Sequence, residues 1–213
     1  MSRELLIIGA GGNSREIAEA ASDLGYQVLG FLDDDVSKHG SRIDDLPVLG
    51  PVSLAVDHSA HCVCTLATYR RPGLRQDIVR GLHLAPHRWV TIIHPAAHIA
   101  RSARIGTGTV VLPGAFVGAG ARLGDHVILL QGACVSHDCI VSDYSTIASG
   151  VCLAGAVGVG AAAYVGMGAL VRNGLTLGSG SVVGMGAVVT RNVPDQAVVT
   201  GNPARSQPVE RKG

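Results

Sequence analysis

The chain has 213 residues with 17 Lys and Arg against 16 Asp and Glu, and a formal net charge of +1 leaves no broad basic field, so nucleic acid is not an expected partner. Aromatics make up 3% of the chain while Gly reaches 29 residues, so the core has to be aliphatic and wound through tight turns, as in a narrow solenoid rather than a layered globule. No apolar run approaches the ~20 residues needed to cross a bilayer, and Met1 to Leu5 lacks a charged-then-apolar signal, so no membrane contact and a cytoplasmic location are expected.

Residues 4–10 (Glu-Leu-Leu-Ile-Ile-Gly-Ala) predict a buried strand running into Gly9-Ala-Gly11-Gly12. Asn13 to Leu24 places Ile17, Ala20, Ala21 and Leu24 at helical spacing, with Gly25 as the stop. Gln27 to Leu32 predicts a second strand that ends at Asp33-Asp34-Asp35. Strand, Gly-rich turn, helix, strand and acid make half of a nucleotide-binding α/β unit, with the acid about where a ribose-binding carboxylate sits. The third glycine of the dinucleotide fingerprint is Ser14 here, so a tight strand-to-helix turn explains the motif as well as a ligand does. The segment is also short for a full dinucleotide fold and suits a mononucleotide or nucleotide-sugar better than NAD.

Pro47 to Leu49 and His61 to Leu66 predict two more short strands, and Arg70 to Leu82 another helix. Its Arg70, Arg71 and Arg75 are either a solvated face or contacts to a ligand phosphate. Trp89 to Ile93 is expected as the last strand of this first domain, and His94-Pro95 marks the passage out of it.

From Ile99 to Val189 an aliphatic residue then recurs every sixth position, sixteen times without a break: Ile99, Ile105, Val111, Val117, Leu123, Leu129, Val135, Val141, Ile147, Leu153, Val159, Val165, Val171, Leu177, Val183 and Val189. Gly often follows it (Gly106, Gly118, Gly124, Gly160, Gly166), and the fourth place after it is mostly small or β-branched (Ala103, Thr109, Ala115, Ala121, Ala133). A fixed period with these residue types is the mark of a β-helix. After Val189 the chain leaves the frame, Gly201-Asn-Pro-Ala-Arg205 reads as a closing segment, and the polar stretch Gln207 to Gly213 is expected to fray.

Three hexads per turn make an eighteen-residue coil, so residues eighteen apart stack at the ~4.8 Å strand spacing. Gly155 should therefore lie over His137, and Ser149, Met167 and Met185 should form one line. Those methionines either fill a groove or oligomer contact, or give an apolar track to a long flexible ligand arm. The repeat chemistry breaks once, at Val135-Ser136-His137-Asp138-Cys139. A His beside an acid is either a general base oriented by a carboxylate or a surface residue in a structural hydrogen bond. The other histidines show no ligand spacing, so no metal is expected. The five cysteines show neither CxxC spacing nor an even count and are expected to be buried free thiols, with Cys134 and Cys152 stacked.

Taken together, Ile7-Ile-Gly-Ala-Gly-Gly12, Phe31-Leu-Asp-Asp34, Ile93-His-Pro95, the hexapeptides, Ser136-His-Asp138, Leu153-Ala-Gly155 and Gly201-Asn-Pro-Ala204 resemble the bacterial sugar acetyltransferases. That family includes sialic acid O-acetyltransferases and the N-acetyltransferases of bacillosamine and perosamine synthesis. The resemblance covers nearly the whole chain. It implies a Rossmann-like domain over residues 1–94 that binds a nucleotide-sugar, then a left-handed parallel β-helix over 95–213 that forms a homotrimer with sites between subunits. It further implies an acetyltransferase of cell-surface polysaccharide synthesis with acetyl-CoA as donor. His137 would take the proton from the acceptor amine or hydroxyl, Asp138 would raise its basicity, and the Gly155 N–H would stabilise the thioester oxyanion. The CoA arm would pass Met167 and Met185, and the nucleotide-sugar would contact Gly11, Gly12, Asn13, Asp33 and Asp34.

Three positions depart from the family pattern. Many members carry a His near the sugar where this chain has Asn13, and a second His near the acetyl group where it has Thr146, which takes that cofactor position here. Cys64-Thr-Leu-Ala-Thr68 stands where relatives tend to have a Gly-containing nucleotide loop. The expected acceptor is the amine of a nucleotide-linked 4-amino-sugar; a hydroxyl of sialic acid or another glycan precursor is the alternative. A β-helix metal hydratase would need a second His five residues after His137, where Ser142 stands. A non-catalytic trimeric scaffold is the remaining alternative.

Overall fold

The computed structural model describes residues 3–207; all but the first residue of the polar tail expected to fray lies outside that range. The first strand, β1 (Glu4–Ile8), is followed by α1 (Gly12–Asp23), β2 (Gln27–Leu32), a short hairpin of β3 (Arg42–Ile43) and β4 (Leu46–Gly50), α2 (Leu54–Asp57), β5 (His61–Cys64) and α3 (Leu74–Gly81). The strands form one sheet in the order β3-β4-β2-β1-β5, parallel except for the β3–β4 hairpin. β1 is a continuous apolar run because both of its faces are covered. Leu5 and Ile7 join the cluster of α1 residues Ile17 and Ala21, while Leu6 and Ile8 face Val79, Leu82 and Trp89. α1 ends at Leu24, and Gly25 takes a φ of 78°, the left-handed turn that favours glycine after a helix.

The β-helix begins earlier than the hexad count suggests. Trp89 bridges Cys62 of the first sheet, but Ile92–Ile93 pairs with Val110–Val111 of the solenoid rather than closing that sheet. Ile93 stands six before Ile99 and is the first guide residue of the repeat. Each later guide residue ends a two-residue strand, and strands pair in parallel with those eighteen residues away, as in Phe116↔Cys134↔Cys152. Guide side chains from Val111 to Val189 are buried, with the small residues Ala115, Ala133, Ala169 and Ala187 packed between them. Burial of each Val, Leu or Ile contributes about 1.5–3 kcal/mol, so a stack of fourteen buried guide residues needs no aromatic core. The Gly after a guide residue has a local cause: a Cβ at Gly118 would meet the backbone N of His137 at 2.8 Å.

The stacked strands make three faces, and their outward residues differ. On the eight-stranded face Val110, Ile128 and Thr146 are buried in the single chain, the first two in one cluster with α1 and Thr146 beneath Arg75 of α3. The six-stranded face carries Phe116, Cys134, Cys152 and Leu170, with Phe116 40% and Leu170 47% exposed. The five-stranded face carries Arg104, Arg122 and Ile140, all exposed. Cysteine burial follows this division: Cys62, Cys64 and Cys139 are buried free thiols, but Cys134 is half-buried and Cys152 exposed, against expectation.

The coil persists past Val189 although the frame does not. Two residues drop out, so Val193 bridges Leu177 and Val198–Val199 pairs with Val182–Val183 at a spacing of sixteen. Arg205–Gln207 then turns back and pairs antiparallel with Val198–Thr200.

Candidate active site

The corner that follows the six-stranded face holds the pattern-breaking hexad. Asp138 takes the left-handed turn conformation there, φ 58°, in a place where most corners use Gly. That conformation puts its carboxylate beside the preceding ring, and His137 Nδ1 lies 2.9 Å from Asp138 Oδ2. The opposite edge of the imidazole faces Gly155 one coil on: a Cβ at Gly155 would lie 2.4 Å from both Cε1 and Nε2. Glycine stands there because the ring occupies the side-chain space. The Gly155 N–H has no acceptor among the described residues. His137 and Asp138 side chains are each 68% exposed in the single chain.

Met167 and Met185 stand on the neighbouring corner, which follows the eight-stranded face. With Ser149 they line a groove of about 550 Å³ between that corner and the start of α1, where Asn13 also lines it. The line Ser149–Met167–Met185 thus exists as the eighteen-residue spacing requires. Glu16, Tyr69, Gln131 and Tyr164 also line the groove. Gln131 lies eighteen residues before Ser149, so the same spacing finds it; nothing local in the sequence points to Glu16 or Tyr69. A hydrogen-bonded chain crosses the groove, from Ser149 Oγ to Gln131 Oε1 at 3.1 Å and from Gln131 Nε2 to Glu16 Oε2.

The Gly-rich turn lies at the N-terminal end of α1. Gly9 is required by the fold, with φ 107° and a Cβ that would sit 2.8 Å from Thr65 Oγ1. A Cβ at Gly11 or Gly12 would meet nothing within 4 Å, so the fold leaves open space in front of both. Ser14, at the third fingerprint position, is buried; its Oγ accepts from the Gly11 N–H at 3.1 Å and lies 2.7 Å from Thr65 Oγ1. The hydroxyl thereby ties the turn to the end of β5, a tie glycine cannot make.

Asp33 ends β2 beside that turn and accepts from the Ala10 N–H at 2.9 Å and Lys38 Nζ at 2.8 Å. Burial pushes the Asp33 carboxyl up, but the hydrogen bonds from Lys38, Asp35 and Ala10 outweigh it and hold the group below the usual range. Asp34 turns the other way and accepts from the Val52 N–H at 2.9 Å, a tie between β2 and the α2 loop. Neither carboxylate lines the groove.

Thr146 is not brought to the groove. It is buried on the eight-stranded face, where its Oγ1 lies 3.0 Å from Arg75 Nη2. Arg75 corrects both readings of the arginines, since it meets neither solvent nor open cleft. Its guanidinium donates to the carbonyls of Leu66, Tyr144 and Ser145 as well, clasping α3 onto the solenoid. Burial lowers its pKa to about 10. Arg71 pairs with Asp77 at the surface, and Arg70 lies over the Tyr69 ring. Among the described residues no group of His, Cys, Asp and Glu could hold a metal ion, and no helix is long and apolar enough to cross a membrane.

Residues 4–67 match a family model described as the PglD N-terminal domain. No curated protein matches the chain. Among solved structures, the acetyltransferase domain of PglB from Neisseria gonorrhoeae FA1090, in complex with acetyl coenzyme A, is 34% identical over 97% of this chain and 100% of that one, with a TM-score of 0.85. A variant of GDP-perosamine N-acetyl transferase from Caulobacter crescentus, in complex with CoA and GDP-perosamine, is 30% identical over 96% of this chain and 97% of that one, again at 0.85. WeeI from Acinetobacter baumannii AYE is 26% identical over 95% and 99% of the two chains, at 0.81. With a Rossmann-like sheet ahead of a left-handed β-helix, and identity above 30% across whole chains, the protein belongs to the family of sugar acetyltransferases.

Proposed function

We propose that the protein transfers the acetyl group of acetyl-CoA to the amine of a nucleotide-linked amino-sugar, with His137 as general base. The observation that carries this is the His137 corner itself: Nδ1 held by Asp138, the far edge of the ring against Gly155, and a spare N–H on that glycine. With Nδ1–H donated to the carboxylate, Nε2 keeps the lone pair that accepts a proton. Bound acetyl-CoA supplies the thioester carbonyl carbon at which a new C–N bond forms as the C–S bond breaks. His137 takes the proton from the attacking nitrogen and holds it where the departing sulfur can receive it. The Gly155 N–H donates to the carbonyl oxygen as charge builds there.

The residues fit the donor. Met167 and Met185 offer a flexible apolar track, 55% and 77% exposed, beside the groove. Gly11, Gly12 and Asn13, with Asp33 behind them, present the open turn to the nucleotide-sugar, so residues 1–94 select the acceptor and 95–213 perform the transfer. Asp33 stays ionised at the ribose end through its three donors. Perosamine-type relatives are solved with CoA and a nucleotide-linked amino-sugar, which supports the amine over a hydroxyl acceptor.

The two halves of the site stand on different corners of one prism. His137 and Gly155 follow the six-stranded face, whereas Asn13, Met167 and Met185 flank the corner before it. A homotrimer supplies the missing juxtaposition: the groove of one subunit meets His137 of the partner subunit, and the exposed apolar residues Phe116 and Leu170 become covered. Light scattering should give three chain masses. His137→Ala should lower the rate by about 10²–10⁴-fold with acetyl-CoA binding retained. Wild-type rate in that variant overturns the base. Mass spectrometry decides the bond, an amide supporting this reading and an ester the hydroxyl alternative.

A further inference from the structure

Resting on that reading, we infer that Glu16, held by Gln131 and Ser149, orients the acceptor amine and lets the enzyme tell an amine from a hydroxyl. The stripe that flanks the groove changes character along its length. Gln131 and Ser149 are polar and come first; Met167 and Met185, one and two coils further, are apolar. Gln131 shares a coil with His137, and Ser149 shares the next with Gly155. The polar end of the stripe is therefore level with the reacting end of the site, and the methionines with the thioester's arm.

Among the described residues, Glu16 is the one charged residue that lines this groove. Its Oε2 accepts from Gln131 Nε2, and the amide is fixed in that sense because its Oε1 accepts from Ser149. Oε1 of Glu16 has no donor among the described residues, because Gln131 meets Oε2 alone. The groove thus offers one anionic acceptor at the height of the base. A primary amine has two N–H bonds to give and a lone pair to attack with, so it can donate to Glu16 and to the partner's His137 at once. A hydroxyl has a single hydrogen, and one of the two acceptors is left unpaired. Sites built to pair a donor discriminate strongly against analogues that lack it. The negative charge also disfavours the CoA phosphates, so only the uncharged arm enters this groove.

The experiment compares wild type with Glu16→Gln, Glu16→Asp and Gln131→Leu on GDP- and UDP-linked 4-amino-6-deoxyhexoses and their 4-hydroxyl counterparts. Glu16→Gln keeps the size and loses the charge. It should raise KM for the amino-sugar about 10–100-fold, the worth of a charged hydrogen bond, with kcat changed far less. Calorimetry with the sugar alone should show the same loss in affinity for the amino-sugar and a clearly smaller one for the hydroxyl sugar, and a separate titration should give an unchanged Kd for acetyl-CoA. Glu16→Asp should recover part of the affinity, and Gln131→Leu should shift it in the same direction by less. An unchanged KM in Glu16→Gln, or equal losses for amino- and hydroxyl sugars, overturns the inference while leaving acetyl transfer standing. Wild type inactive on every amino-sugar overturns the functional reading and the inference with it.

Discussion

Two histidines stand eleven residues apart on corners of the same solenoid, and the protein treats them in opposite ways. His126 is 6% exposed, stacked at 3° on Tyr144 one coil away and met edge-on by Trp89 of the first domain at 4.9 Å. Burial lowers its pKa to about 4, with Arg75 adding to the effect against the opposing pull of Asp125 and Asp143, and its Nδ1 has no partner. His137 stands free, with a carboxylate on one edge and a glycine on the other. The repeat supplies nearly equivalent corners; what docks on each decides whether an imidazole is buried in packing or left exposed beside its partners. The first domain covers one corner and roofs a second, and it leaves the third open to solvent.

The largest expected effect lies on the covered side. Arg75→Leu leaves the Leu66, Tyr144 and Ser145 carbonyls without their charged donor and should cost about 3 kcal/mol or more. For a chain of this size that lowers Tm by roughly 6–12 °C. Trp89, the single Trp, reports on the same junction, and its emission should shift to the red as the cover loosens. A melting curve and spectrum identical to wild type would remove the clasp from the comparison.

On the open side, Gly155→Ala should act on rate and spare the fold. The added Cβ meets an exposed imidazole that can swing away, so stability should change by less than about 1 kcal/mol. The displaced base should lower kcat by about 100-fold. A fall in Tm with kcat preserved would mean that the corner is structural after all.

The smallest effect sharpens the contrast through pH. The folded state holds His126 neutral down to about pH 4, whereas an unfolded His binds its proton near pH 6.5. The unfolded state thus takes up the extra proton, and stability present above pH 6.5 is lost as pH falls towards 4. That loss should reach about 2 kcal/mol at pH 5 relative to pH 7.5. Urea unfolding of His126→Phe should show a shallower dependence over this window, and equal slopes in the two proteins would refute the buried neutral ring.

How much of this was legible in the sequence follows from the range of each interaction. The hexad is a local rule repeated, so the eighteen-residue spacing places Gly155 on His137 and aligns Ser149, Met167 and Met185. The same spacing reaches Gln131. Ile93 is a guide residue too, but Trp89 and Pro95 around it imitate the end of a sheet strand. After Val189 the lost two residues hide a coil that Val193 and Val199 continue, buried and hydrogen-bonded in the parallel ladder at a spacing of sixteen. Arg75 is illegible for a different reason. Three of its partners are main-chain carbonyls, two of them some seventy residues away, and a carbonyl has no letter. Asp34 has the letter of a ligand carboxylate, yet its bond is to the Val52 N–H. Thr146 likewise shows its role only once α3 is seen above it.

The returning strand Arg205–Gln207 has a consequence for the particle as a whole. A parallel ladder can in principle grow without limit, because the last coil presents the same unpaired edge as every coil before it, and a second molecule could add there. Here the final parallel strand, Val198–Thr200, is closed by a polar, exposed segment running the other way. An antiparallel edge does not match the start of another such ladder. The turn at Gly201 therefore closes the eight-stranded ladder and leaves it no parallel edge onto which a second solenoid could add.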